Sequence, residues 1–182
     1  MSNAPLSQRS AQDQFGRTAA AYGTSRTHTN DDSLVSLESF VSGMHVGTAV
    51  DIGTGPGFTA FAIAPFADRV IATDLTPQML QQVRTLRGKH DAPGTEMALV
   101  AAEALPFAES SIDLVTCRTA AHHFADLPQW LNEVHRVLKP GGLLVTADTV
   151  SPEDSATARW MHEIEMQRDP SHVKNLAPSE WR

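Results

Sequence analysis

The chain has 182 residues, within the length of one domain, and carries 14 Lys and Arg against 21 Asp and Glu for a formal charge of −7. No basic block accumulates along it, which argues against nucleic acid or any other polyanion as a partner. No apolar run reaches the roughly 20 residues that span a bilayer, and the polar start lacks a secretory apolar segment, so a cytoplasmic protein without a membrane span is expected. The lone cysteine, Cys117, excludes an internal disulfide and reads as a reduced, buried thiol.

In chain order, residues 1–14 are small and polar and read as a mobile arm. FGRTAAAYGTSRTHT (15–29) follows as helix and then loop, and DSLVSLESFVSG (32–43) as an amphipathic helix. From Thr48 short β-rich runs alternate with helical ones. The strands expected are TAVDI (48–52), RVIATD (69–74), EMALVA (96–101), IDLVTCR (112–118) and GLLVTADTV (142–150). Between them FTAFAIAPFA, TPQMLQQVRTLRGK and LPQWLNEVHRVLK have apolar residues at helical spacing. Thr76 is placed to cap the second of these with its hydroxyl, and KPGG (139–142) to stop the third. EDSATARWMHEIEMQR (153–168) reads as a last helix that packs through Trp160, Met161 and Ile164.

Mostly apolar strands alternating with helices define an α/β domain with a doubly wound, mostly parallel sheet. The expected division is an N-terminal arm with cap helices (1–45), a Rossmann-like core (46–150), and a lid on the substrate side (151–182). Ser179 and Glu180 resemble the cap and first turn of a helix, so the chain is expected to be a truncated one.

The chemistry concentrates in AVDIGTGPGFTA (49–60), where a strand enters a helix through Gly53, Gly55 and Gly57, with Thr54 among them. Such a turn lets a ligand approach backbone N–H groups at a helix start. A dinucleotide turn needs a small residue where Phe58 stands, and Asp51 would repel a pyrophosphate. A ligand with an ammonium group suits Asp51 better. Asp74, ending the second strand, is placed to accept both hydroxyls of a ribose. The residues therefore ask for an adenosine joined to an amino acid.

VDIGTGPG, ATDLTPQML, AAEALPFAESSIDLVTCRTAAHHF and EVHRVLKPGGLLVTAD, in this order, resemble the successive motifs of class I S-adenosylmethionine-dependent methyltransferases, in the small-molecule branch that includes the ubiquinone and menaquinone biosynthesis enzymes. YGTSRTH and RDPSHV are similar to that branch as well. The resemblance implies S-adenosyl-L-methionine as cofactor and a methyl acceptor that is a small organic molecule. By position, Asp51 and the backbone of Gly53, Thr54, Gly55 and Gly57 would hold the methionine end, Asp74 the ribose, and Leu75 the adenine face. Ala102 and Glu103 would border the adenine edge, where Ala101 replaces the Asp of many relatives. Arg118 would line the methionine side and Tyr22 would close over it.

Methyl transfer from a sulfonium is an in-line displacement in which the protein chiefly aligns the partners. For a phenol, enol or thiol a base helps, and His122 and His123 after the fourth strand are the nearest candidates. No metal site is expected, because the histidines lack ligand spacing. The lone tyrosine, Tyr22, precedes the cofactor strand, against a short-chain dehydrogenase. The family fold ends in an antiparallel hairpin that this sequence does not supply. The alternative is therefore a truncated, methyltransferase-like binding module without full turnover, whose exposed edge invites a homodimer.

Overall fold

The computed structural model describes residues 6–23 and 31–182. Helices α1 (Leu6–Tyr22) and α2 (Asp32–Val41) precede strand β1 (Val46–Ile52), which leads through the glycine turn into α3 (Phe58–Ile63). A short 3-10 turn (Ala64–Phe66), β2 (Ala67–Asp74), α4 (Pro77–Leu86) and β3 (Glu96–Leu99) follow. Then come β4 (Ile112–Arg118), a second 3-10 turn (Ala121–His123), α5 (Leu127–Val137), β5 (Leu138–Ala147) and α6 (Ser155–Arg168).

The sheet has the order β3-β2-β1-β4-β5, and every pairing in it is parallel. The chain moves outward from β1 to β3, then returns to the other side of β1 for β4 and β5. That reversal makes a Rossmann-like, doubly wound α/β fold. It also opens a crevice at the carboxyl ends of β1 and β4, where ligands bind in open sheets of this kind.

Two-residue alternation along the strands supplies two cores. Ala49 and Leu114 pack with Leu34, Leu37 and Val41 of α2 and with Phe58 and Phe61 of α3. Val50, Ile52, Val115 and Cys117 face the other way, against Trp130, Val134 and Val137 of α5. Cys117 is free and fully buried, as its apolar neighbours lead one to expect.

Some elements differ from the sequence expectation. Residues 6–14 belong to α1 and are not an arm, while residues 1–5 and the loop expected over 24–30 lie outside the described residues. Pro65 cannot donate an N–H, so α3 stops at Ile63 and tightens into the 3-10 turn. Thr76 sits at the N-cap of α4, but its hydroxyl makes no cap bond. Asp74 does the local work instead, its Oδ1 accepting the Thr76 N–H at 2.8 Å.

KPGG does not simply end a helix. Leu138 already pairs with Ile112, and the next partners are Leu114 and Leu143, so residues 139–142 bulge within β5, with Gly141 at φ +82°. In α6, Trp160 is 64% and Ile164 42% exposed, so these two members of the stripe expected to pack face outward, while Met161 is half-buried.

Trp130 is fully buried. Its replacement by Ala is expected to cost about 3–5 kcal/mol, read as a lower urea midpoint with an unchanged slope.

Candidate functional site

A cavity of about 300 Å³ opens at the reversal, between the turn after β1, the end of β2, the turn after β4 and helix α1. The three glycines do different things there. All have positive φ, +64° at Gly53, +53° at Gly55 and +100° at Gly57, where side chains are strained. A Cβ on Gly53 would come within 2.6 Å of the Ala120 Cβ, and one on Gly57 within 2.7 Å of the Phe61 ring. Over Gly55 there is open space. Gly53 and Gly57 thus make room for protein side chains, and only over Gly55 is the Cβ position open.

Asp51 stands behind the cavity wall. It is 1% exposed, and its carboxylate accepts from the Thr54 hydroxyl at 2.5 Å and the Thr116 hydroxyl at 2.7 Å. Burial pushes this carboxyl up to about 6, against the opposing pull of those two hydroxyls and of the Arg118 charge. Thr54 carries the carboxylate's influence into the wall.

Asp74 reaches the cavity directly. Its Oδ2 accepts the Gly55 N–H at 2.8 Å, so the end of β2 is tied to the turn after β1. Burial raises its carboxyl, and the bonds from the Thr76 and Gly55 amides act against that rise. Leu75, Met79, Val100 and Ala102 continue the wall as an apolar slot. Gln12 of α1 donates to the Leu75 carbonyl at 2.9 Å and seats the helix along this edge. Glu103 is turned to the chain before α5, where its Oε1 accepts the Ala125 N–H at 2.8 Å.

Tyr22 lines the opposite side with Phe15, the rings meeting edge to face at 5.8 Å. Burial, then the nearby Asp169, raises the Tyr22 hydroxyl. Arg118 is buried in the wall; it donates to the Thr59 hydroxyl at 3.0 Å and to Asp31 at 2.9 Å, which also caps α2.

His122 and His123 both line the cavity, their rings 4.0 Å apart. His122 Nδ1 lies 2.6 Å from Asp148 Oδ1. His123 Nδ1 lies 3.1 Å from the Ser171 carbonyl, its ring 4.9 Å from Phe15, and burial pulls it down to about 4.

The cavity thus brings together Tyr22, Gly53, Thr54, Gly55, Asp74, Leu75, Ala102, Arg118, His122 and His123, while Asp51, Gly57 and Glu103 stand outside its wall. Sequence reasoning did not single out Phe15, Asp148, Asp169 or Ser171. The RDPSHV stretch that carries the last two was noticeable as a pattern but not as a site. No cluster able to hold a metal ion occurs among the described residues. No described helix is long and apolar enough to cross a membrane.

Comparison with known proteins gives this geometry a family. Residues 50–146 match the methyltransferase domain family model, more than half of the chain, and the chain belongs to that family. It is 32% identical over 168 residues to YcgJ of Bacillus subtilis, an uncharacterised methyltransferase, covering 92% of this chain and 66% of the relative. The YcgJ crystal structure superposes with a TM-score of 0.77 at 34% identity, over 82% of this chain and 64% of that one. A demethylmenaquinone methyltransferase of Thermus thermophilus is 37% identical over 112 residues, 59% of this chain and 49% of the relative. The chain spans just under two thirds of YcgJ.

The buried carboxylate makes stability depend on pH. With Asp51 raised to about 6 in the fold, the folded state holds that proton more tightly than the unfolded chain. Its stabilising effect is complete below about pH 4 and is lost as pH rises through 6, for about 3 kcal/mol in total. Asp51→Asn is expected to remove this dependence. Urea melts across that range should show wild type losing ground to the variant, and parallel profiles would contradict it.

Proposed function

We propose that the chain is the cofactor-binding and catalytic core of an S-adenosylmethionine-dependent methyltransferase that acts on a small organic acceptor in the cytoplasm. The observation that carries this reading is the junction of Gly55 and Asp74. There a backbone with open space above it, a carboxylate and an apolar slot adjoin in one cavity. These are the elements that an amino-acid end, a ribose and an adenine require in sequence.

Asp74 would accept the ribose hydroxyls with the lone pairs that its two amide bonds leave. Leu75 and Ala102 would flank the adenine, with Glu103 fixing the loop behind its edge. Gly53, Thr54 and Gly55 would receive the methionine end, with Gly57 shaping the turn and Asp51 acting through Thr54. Arg118 would complete that side and Tyr22 would cover it. S-adenosylmethionine supplies an activated sulfonium methyl group, so the protein's own part is to align the acceptor, exclude water and handle its proton.

A small acceptor is supported by the acidic chain and by the name of the Thermus relative. Exposed Trp160 and Ile164 support a contact surface, for which a homodimer is the simplest occupant.

Calorimetric titration with S-adenosylhomocysteine tests the reading. Wild type is expected to bind at one site, and Asp74→Ala to lose that binding while remaining folded. Absence of binding by folded wild-type protein overturns the assignment. The glycines separate in the same assay. Gly55→Ala is expected to fold and bind poorly, whereas Gly57→Ala loses about 1–3 kcal/mol of stability through strain and the Phe61 clash.

A further inference from the structure

Asp169 is a buried charge without a counter-ion among the described residues. It lines the cavity and is 8% exposed. It follows directly on α6, its N–H bonded to the Glu165 carbonyl at 2.7 Å, so a carboxylate stands at a helix C-terminus, where the aligned peptide dipoles favour a cation. Arg168, the cation beside it, is turned to Glu165, whose Oε2 accepts from both Nε and Nη2. Asp169 and Ser171 come from RDPSHV (168–173), to which the cofactor seat assigns no role.

Among the described residues only Ser171 bonds to this carboxylate. Its N–H and its hydroxyl both donate to Oδ1, at 2.9 and 2.5 Å. Burial works to raise the Asp169 carboxyl, but these two bonds, assisted by Arg168, hold it below its usual value, so it is an anion near neutrality. Oδ2 has no hydrogen-bond partner among the described residues. A buried charge is unfavourable unless its lone pairs are met, so one oxygen of an otherwise fixed carboxylate is left for a donor from outside the chain.

The surrounding walls narrow the choice of donor. Burial and then Asp169 raise the Tyr22 hydroxyl, which places that ring within reach of the charge, and Ser171 joins Asp169 to His123. Phe15 meets the Tyr22 ring at 84° and the His123 ring at 81°, so Asp169 borders a corner of aromatic rings. Such a corner attracts a cation through the ring quadrupoles as well as the carboxylate, and repels an anion. The net charge of −7 acts in the same direction.

We propose that Asp169 is a specificity-determining residue for the methyl acceptor, its Oδ2 receiving an N–H of an ammonium group. The site then selects acceptors that carry a protonated amine over neutral or anionic molecules of the same shape. This rests on the methyltransferase reading. An ammonium nitrogen has no lone pair with which to attack a sulfonium, so the group bound by Asp169 is a handle, and the methyl goes to another atom of the acceptor. The carboxylate also offsets the repulsion between that handle and the sulfonium charge.

A charge series on one molecular frame tests this. 2-Phenylethylammonium, 2-phenylethanol and phenylacetate are each titrated calorimetrically, at neutral pH, into the chain saturated with S-adenosylhomocysteine. The ammonium is expected to bind tightest, with Asp169→Asn weakening it about 10- to 100-fold and leaving the affinities for the alcohol and S-adenosylhomocysteine unchanged. Asparagine keeps an oxygen for the two Ser171 bonds, and the series on wild type decides the point where the variant does not fold. Alcohol or phenylacetate binding as tightly as the ammonium, no binding of the ammonium, or an ammonium affinity indifferent to Asp169→Asn overturns the proposal. A fall in S-adenosylhomocysteine affinity in the variant overturns it too, because Asp169 would then serve the cofactor's own ammonium group. Absence of S-adenosylhomocysteine binding by folded wild type would sink the methyltransferase reading instead, and the same series run without it would still report the charge preference of the cavity.

Discussion

A carboxylate buried among parallel strands is the constraint on which the site depends. Asp51 lies at the carboxyl end of β1, in register with Ala72 of β2 and Thr116 of β4. Burying a charge there is unfavourable unless hydrogen bonds surround it. The Thr116 hydroxyl comes from the neighbouring strand, and the Thr54 hydroxyl comes from the turn, which the bond bends back over the sheet. Thr73 of β2 donates to the Asp51 carbonyl at 2.9 Å, so both adjacent strands are tied to the same residue. Arg118, two residues beyond Thr116, lies on the same face of β4 and supplies the charge that partly offsets desolvation. The glycine turn is thus shaped from beneath by polar groups before any ligand arrives.

The upper half of the site is organised by a different piece of chain. After α6, Asp169, Ser171, His172 and Asn175 are buried, unusual for polar residues in an irregular segment. For Asp169, Ser171 and Asn175 the bonds they form explain it, while Nε2 of His172 is buried with no hydrogen-bond partner among the described residues. Asp169 accepts from the Ser171 hydroxyl, Ser171 holds His123, and Asn175 accepts from the Thr149 hydroxyl at 2.7 Å. Ser151 N–H reaches the Leu176 carbonyl at 3.0 Å. The segment therefore fastens the histidine turn to the end of β5, where Asp148 stands.

Much of the cavity wall around β1 and β2 was legible in the sequence because it is local in the chain. Asp51, the glycines and Asp74 lie within 24 residues at the ends of two adjacent strands, so strand assignment alone brings them together. The roles of the separate glycines were not legible. A positive φ can be guessed from a turn, but Ala120 and Phe61 are what forbid a Cβ at Gly53 and Gly57, and these are tertiary contacts. Likewise KPGG carries the composition of a helix stop, yet pairing of Leu138 with Ile112 draws it into β5. Asp148 and Ser171 lie 26 and 48 residues from the histidines they hold, with no spacing rule to connect them.

The two halves meet on one ring. His123 packs against Phe15 of α1 on one side and is bonded to Ser171 on the other. Helix α1 is in turn anchored along the cavity edge after β2, where Gln12 donates to the Leu75 carbonyl. The contacts of this one ring therefore tie α1 to the segment after α6 across the cavity.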